Sequence, residues 1–128
     1  MRMKTTMRNL ASILGIDDMD NPCEYDMSDL GIKVNTPKGY KPMTNYVVKH
    51  NVDSHFELSS GLKTTAAHRT LVDDEWVRSK NRSDAVLINS PMQVVDMSVP
   101  ETECYLANGE TNHNTTPGGR RFASLAGV

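Results

Sequence analysis

Apolar residues in this chain fall into short clusters separated by turn formers, and the spacing within the clusters changes once along the sequence. Leu10, Ile13 and Leu14 recur at helical spacing and are followed by Gly15, which predicts a short helix ending there. From Gly31 onward short β-rich runs broken by turn residues take over. Ile32-Lys33-Val34-Asn35, then the turn Thr36-Pro37-Lys38-Gly39-Tyr40, reads as a hairpin, and strands are expected at Tyr46-Val47-Val48 and Phe56-Glu57-Leu58, the latter closed by Ser59-Ser60-Gly61. Next come Leu71-Val72, a turn at Asp73-Asp74, and Trp76-Val77. Ala85 to Ile88, Met92 to Val99 and Cys104-Tyr105-Leu106-Ala107 follow, the last closed by Asn108-Gly109. Many short strands with no ten-residue helical pattern among them predict an all-β, curled or barrel-like domain.

A chain of 128 residues builds one small domain. Aromatic residues make up 5% and tryptophan occurs once, so the core is expected to rest on Val, Leu, Ile and Met. Three textures divide the sequence. Residues 1–29 hold five of the eight methionines and the acids Asp17, Asp18, Asp20, Glu24, Asp26 and Asp29, and read as a partly ordered arm. Residues 30–114 carry the strand pattern, and 115–128 (TTPGGRRFASLAGV) do not continue it. With 14 Lys+Arg against 16 Asp+Glu, bulk charge favours neither nucleic acid nor an anionic membrane as partner. No apolar run has the length of a membrane span, and no apolar core of a signal peptide follows Met1-Arg2-Met3-Lys4. Cys23 and Cys104 lack the spacing of a zinc or redox pair, so a reducing cytoplasm is the expected setting and no metal or cofactor is expected.

The chemistry worth following lies at His113-Asn114-Thr115. An asparagine carboxamide can attack its own main-chain carbonyl, close a succinimide and expel the next residue's nitrogen, which here cuts the chain after Asn114. The unassisted reaction is slow, since an amide is a poor nucleophile and an amine a poor leaving group; a positioned imidazole such as His113 contributes on the order of 10²–10⁴-fold. Thr115 then presents a hydroxyl able to accept an acyl group. His-Asn-Thr alone is a weak signal, and an exposed polar turn is its bland reading. The context is specific. From Asp96 to Asn114 the sequence DMSVPETECYLANGETNHN resembles the C-terminal end of an intein: an acidic residue, a strand, an aromatic with Leu-x-Asn-Gly, a short strand and a terminal His-Asn followed by Cys, Ser or Thr.

Upstream, Thr65-Ala66-Ala67-His68 resembles the intein Thr-x-x-His motif, and the resemblance implies that Thr65 and His68 contact the amide at the upstream junction. Conversion of that amide to an ester or thioester is uphill, so a proton donor at the leaving nitrogen and a polar cradle both lower the barrier. By the same resemblance Asp96 couples the two junctions. One departure is visible: many inteins carry a further histidine where Glu103 stands, leaving its role to Glu103, to Cys104 or to neither.

The family's opening block, a nucleophile followed by a Gly-Asp-Thr-like turn, has no counterpart here. The resemblance therefore implies a Hint-type, horseshoe-like β fold left incomplete, as in the atypically split inteins of phage-like genomes, with residues 115–128 as the start of the C-extein. The missing partner is expected to be an N-intein fragment of roughly 20–40 residues, fused to an N-extein and joined by strand addition. Such a chain splices once and needs no cofactor. Two alternatives stand beside this: a one-chain mini-intein starting at Cys23, and a non-catalytic β-rich binding module in which His50, His55, His68 and His113 are incidental or form a weak metal site.

Overall fold

The structure, a computed structural model, describes residues 7–16, 18–113 and 125–126. In chain order, helix α1 (Met7–Ile13) is followed by β1 (Cys23–Asp26), β2 (Lys33–Thr36), β3 (Gly39–Pro42), β4 (Asn45–Val48), β5 (His55–Glu57), β6 (Lys63–Thr64) and β7 (Arg69–Val72). Then come β8 (Glu75–Arg78), β9 (Val86–Ile88), β10 (Val94–Ser98), β11 (Cys104–Ala107), β12 (Glu110–His113) and β13 (Leu125–Ala126). Short 3-10 turns lie at Ser28–Leu30 and Ser79–Asn81. The strands form a seven-stranded sheet in the order β1-β4-β10-β13-β6-β5-β9, a four-stranded sheet β11-β12-β7-β8, and the hairpin β2-β3. The all-β class expected from many short, closely spaced strands is the class observed.

Turn chemistry sets the registers. Asp73 and Asp74 both have positive φ, 49° and 65°, and so do Asn108 and Gly109, 51° and 75°. A two-residue loop with both residues left-handed matches the twist of the strands it joins, and Asx and Gly adopt that conformation at least cost. These loops pair Val72 with Glu75 and Ala107 with Glu110. In β2-β3 the Thr36 hydroxyl donates to the Gly39 carbonyl at 2.6 Å and accepts from the Lys38 amide at 3.1 Å, closing the Pro37-Lys38 turn.

Helix α1 ends in a Schellman motif: the Gly15 amide bonds the Ser12 carbonyl, the Ile16 amide bonds the Ala11 carbonyl, and Gly15 takes φ 78°. Leu10, Ala11 and Ile16 are buried in the main core and Leu14 packs at its edge, while Ile13, expected on the buried stripe, is 49% exposed. The motif tucks Ile16 back under the helix, so Ile16 and Ala11 take the place that periodicity alone gives to Ile13.

The described residues before 30 contribute to the domain: Leu10, Ala11, Ile16 and Met27 join the main core. The acidic part of this segment contains β1, which pairs antiparallel with β4 from Cys23↔Val48 to Asp26↔Asn45. The strand is hidden in the sequence because it is an edge strand: in Cys-Glu-Tyr-Asp only Tyr25 is half-buried and the rest face solvent. Beyond residue 115, Leu125–Ala126 forms a further strand that the tail's composition does not announce.

The core lies around β4 and β10. Tyr46, Val48, Val95, Met97 and Val99 interdigitate with Met43, Leu58, Leu62 and Tyr105, all nearly inaccessible to solvent. Although aromatics are scarce, Tyr46 and Tyr105 are the largest fully buried side chains, while Trp76 is 40% exposed. Every residue of β10, Asp96 included, is buried. No helix among the described residues is long and apolar enough to cross a membrane.

Candidate functional site

Strand β6 stops at Thr64, and Thr65 to His68 make a turn closed by the His68 amide on the Thr65 carbonyl at 3.3 Å. The turn is held from one side by the Ser79–Asn81 segment. The Ser79 amide donates to the His68 carbonyl at 2.9 Å and the Lys80 amide to the Ala66 carbonyl at 3.0 Å. The Thr64 hydroxyl donates to Ser79 Oγ at 2.5 Å, with both residues fully buried. Thr65 is half-buried, Ala66 and Ala67 are exposed, and the His68 side chain is buried to 1%. A buried imidazole at the end of an exposed small-residue turn is a group held in place from behind.

His68 Nε2 lies 2.8 Å from Asn112 Oδ1. Asn112 sits on β12, fully buried, opposite Thr70 of β7 on one side and Tyr105 of β11 on the other. Next along the strand, His113 is half-buried, stands opposite Cys104 in the ladder and sets its ring edge-on to Trp76, with centroids 4.9 Å apart and planes at 71°.

Asp96 approaches the same region from β10. One carboxylate oxygen accepts the Tyr105 hydroxyl at 2.7 Å and the Met97 amide at 2.8 Å. Complete burial pushes its proton affinity up, opposed by the charge of His68, the Tyr105 hydrogen bond, the charge of Lys49 and the Met97 amide. Lys49 is driven the other way by its own burial, which lowers its pKa against the pull of Asp96. Tyr105 is raised well above its ordinary value by burial and by Asp96, so its hydroxyl stays a donor.

Arg82 fastens the base of this assembly. Its guanidinium bonds the Thr70 hydroxyl at 3.0 Å, Glu110 at 3.0 Å, and Asp84 through two nitrogens at 2.9 and 2.8 Å. Arg82 and Glu110 are nearly buried, with side chains 12% and 13% exposed, so besides the ladder β12 is tied to β7 through Arg82, by a largely desolvated ion pair to Glu110 and a hydrogen bond to Thr70.

Of the residues marked from the sequence, Thr65 and His68 share one turn, Asp96 lies within electrostatic reach of His68, and His113 adjoins the residue bonded to His68. Asn114 and Thr115 lie outside the described residues. Glu103 is exposed, with a left-handed φ of 56° in the turn before β11, whereas Cys104 is half-buried beside His113, its thiol pushed up chiefly by burial. Among the described residues no group of three or more His, Cys, Asp and Glu side chains is gathered as a metal site. His50 is exposed, and His55 is buried against the Ser90 carbonyl. Sequence reasoning passed over Asn112, Lys49, Trp76 and Arg82. Asn112 alone left a trace, as a polar residue in a short strand that has no apolar face.

No family profile matches the chain, and no curated protein matches it. Among solved structures it matches one described as "Consensus engineered intein (Cat) with atypical split site", with a TM-score of 0.54 and 19% identity, over 77% of this chain and 92% of that one. The chain has the intein fold. At that identity the likeness carries the backbone and not the chemistry. Within the intein fold, His68, Asp96, Asn112 and His113 come from β6-β7, β10 and β12, so the site is built where the two larger sheets meet.

Proposed function

We propose that this chain is the C-terminal fragment of a split intein, which cuts after Asn114 and joins Thr115 to a polypeptide delivered by a short N-intein partner. The observation that carries the reading is the arrangement of β10, β13 and β6. Among the described residues, a two-residue strand from beyond residue 115 bridges β10 and β6: Val94↔Ala126, Val95↔Leu125 and Leu125↔Thr64. β10 is five residues long, and β13 runs beside two of them. A longer strand in the place of β13 would pair along more of β10 and bring its first residue to Asp96 and to the Thr65–His68 turn.

The chemistry then runs as follows. The partner's first side chain attacks the carbonyl before it, giving an ester or thioester as His68 protonates the departing nitrogen. The Thr115 hydroxyl takes over the acyl group. The Asn114 carboxamide nitrogen attacks its own carbonyl, with His113 handling the proton, and the C–N bond to Thr115 breaks to leave a succinimide. The freed Thr115 amine captures the ester, restoring a peptide bond. The chain is consumed in one turnover.

Support for a separate nucleophile comes from Cys23. It is exposed on β1, an edge strand, and lies across β4 from β10: Cys23↔Val48↔Val95. Two strand spacings of about 4.8 Å put its backbone roughly 10 Å from β10, on the side away from β6. The test is mass spectrometry after mixing the chain with N-intein peptides of roughly 20–40 residues that begin with Cys or Ser and carry a tagged extein. A ligated product entering at Thr115, with release of a fragment ending in the Asn114 succinimide, is expected; Asn114→Ala blocks the release and Cys23→Ala leaves splicing intact. Loss of splicing in Cys23→Ala would favour the one-chain alternative. A chain that stays whole with every peptide refutes the proposal.

A further inference from the structure

We infer that Asn112 is a positioning residue that fixes which end of His68 works at the upstream junction and ties that histidine to the strand leading into the downstream one; the inference rests on the splicing reading of the site. Asn112 is completely buried. Its carboxamide nitrogen donates to the Glu110 carbonyl at 2.9 Å, which settles the orientation of the amide and turns Oδ1 toward His68 Nε2, 2.8 Å away. A carboxamide oxygen only accepts, so Nε2 carries a proton in both the neutral and the charged ring.

The consequence is chemical. When the charged His68 gives a proton to the leaving nitrogen, the proton comes from Nδ1, as the C–N bond breaks and the nucleophile's ester or thioester bond forms. The imidazole left behind is the neutral Nε2–H form, the one whose remaining proton already sits on Asn112 Oδ1. Asn112 thus holds the ring through both protonation states and selects the tautomer left after the transfer, without touching the reacting atoms. Because Asn112 is two residues before Asn114 on the strand bearing His113, a shift of β12 moves the anchor of His68 and the downstream junction together. An apolar residue, the expected occupant of a buried strand position, would strip Nε2 of this acceptor.

The experiment uses the full chain labelled with ¹⁵N. Long-range ¹H–¹⁵N correlation of the His68 ring should show the Nε2–H tautomer in the unmixed protein and a mixture of tautomers in Asn112→Leu. With a Cys-initiated N-intein peptide, hydroxylamine cleavage at the upstream junction should slow by at least about tenfold in Asn112→Leu. Asn112→Asp keeps the acceptor and adds a charge that favours the protonated ring, so it should restore cleavage and carry the alkaline limb of the pH profile to higher pH. An Nδ1–H tautomer in the wild-type chain, or an Asn112→Asp protein with an unmoved profile, overturns the inference, and the second readout decides even where Asn112→Leu fails to fold. If no peptide supports upstream cleavage in the wild-type chain, the splicing reading falls, while the tautomer measurement still decides the anchoring role.

Discussion

Strands β4 and β12 both run through the interior, yet they are held there by different forces. In β4, Tyr46, Val47 and Val48 are buried and β1 and β10 flank the strand on either side. Apolar burial is non-directional, and each such side chain is stabilised in any pocket of the right volume. In β12 the fully buried residue is Asn112, its neighbours along the strand are polar, and its place is defined by a hydrogen bond to His68, one to the Glu110 carbonyl, and the Arg82–Glu110 pair. A buried polar strand keeps its position only if every partner is in place, because each orphaned group costs about 1–3 kcal/mol. The two regions divide the labour: the β4-β10 side makes the domain stable, and the β7-β12 side spends part of that stability on geometry.

The sharpest way to break the contrast is to damage each side in turn. Leu58→Ala, in the apolar core and 1% exposed, should cost about 2–5 kcal/mol in denaturant unfolding, while leaving the ring contacts of His68 and His113 unchanged by NMR. Tyr105→Phe removes the hydroxyl that Asp96 accepts and should cost less, about 1–3 kcal/mol, because packing is retained. Equal losses in the two variants would mean that hydrogen bonding counts for as much as volume here.

Asp96→Asn sharpens the comparison through pH. Burial raises the Asp96 pKa above its ordinary 3.8, so over the interval between the two values the folded chain holds a proton that the unfolded chain releases. The stability linked to that proton is complete below about pH 4 and is lost as pH rises through the raised value. Unfolding midpoints of the wild-type chain should therefore fall across that interval, and the profile of Asp96→Asn should be flatter. A wild-type profile that rises there would mean that Lys49 and His68 outweigh burial. The smallest effect belongs to the surface: Lys41 and Glu101, 3.9 Å apart with side chains 33% and 56% exposed, should contribute under about 0.5 kcal/mol, so that Glu101→Gln is nearly silent at moderate salt.

The difference between the two regions also explains what could be read in advance. Alternation at Ile32 to Asn35, the Asp73-Asp74 and Asn108-Gly109 turns and the Gly15 stop are local signals, and each appears in the structure at the expected place. Strand β1 and the two-residue β6 gave no such signal: β1 is largely exposed, and β6 is too short to show a period. His68 and Asp96 were visible because motif spacing marks them. Asn112 and Arg82 were not, since a lone Asn or Arg in a polar stretch looks like a solvated residue until the chain brings its partner close.

The order of residues by itself determined the all-β class, the hairpins and their turns, and the chemical possibility at His113-Asn114-Thr115, because each of these depends on neighbours a few positions apart. Only the tertiary structure decided that Asp96 is buried beside Tyr105 and within electrostatic reach of His68, that Asn112 rather than a carboxylate holds the His68 ring, and that the strand of Cys23 lies across β4 and β10 from β6. Those contacts join residues up to 44 positions apart, and distance along a chain says nothing of distance in space until the strands between them have been paired.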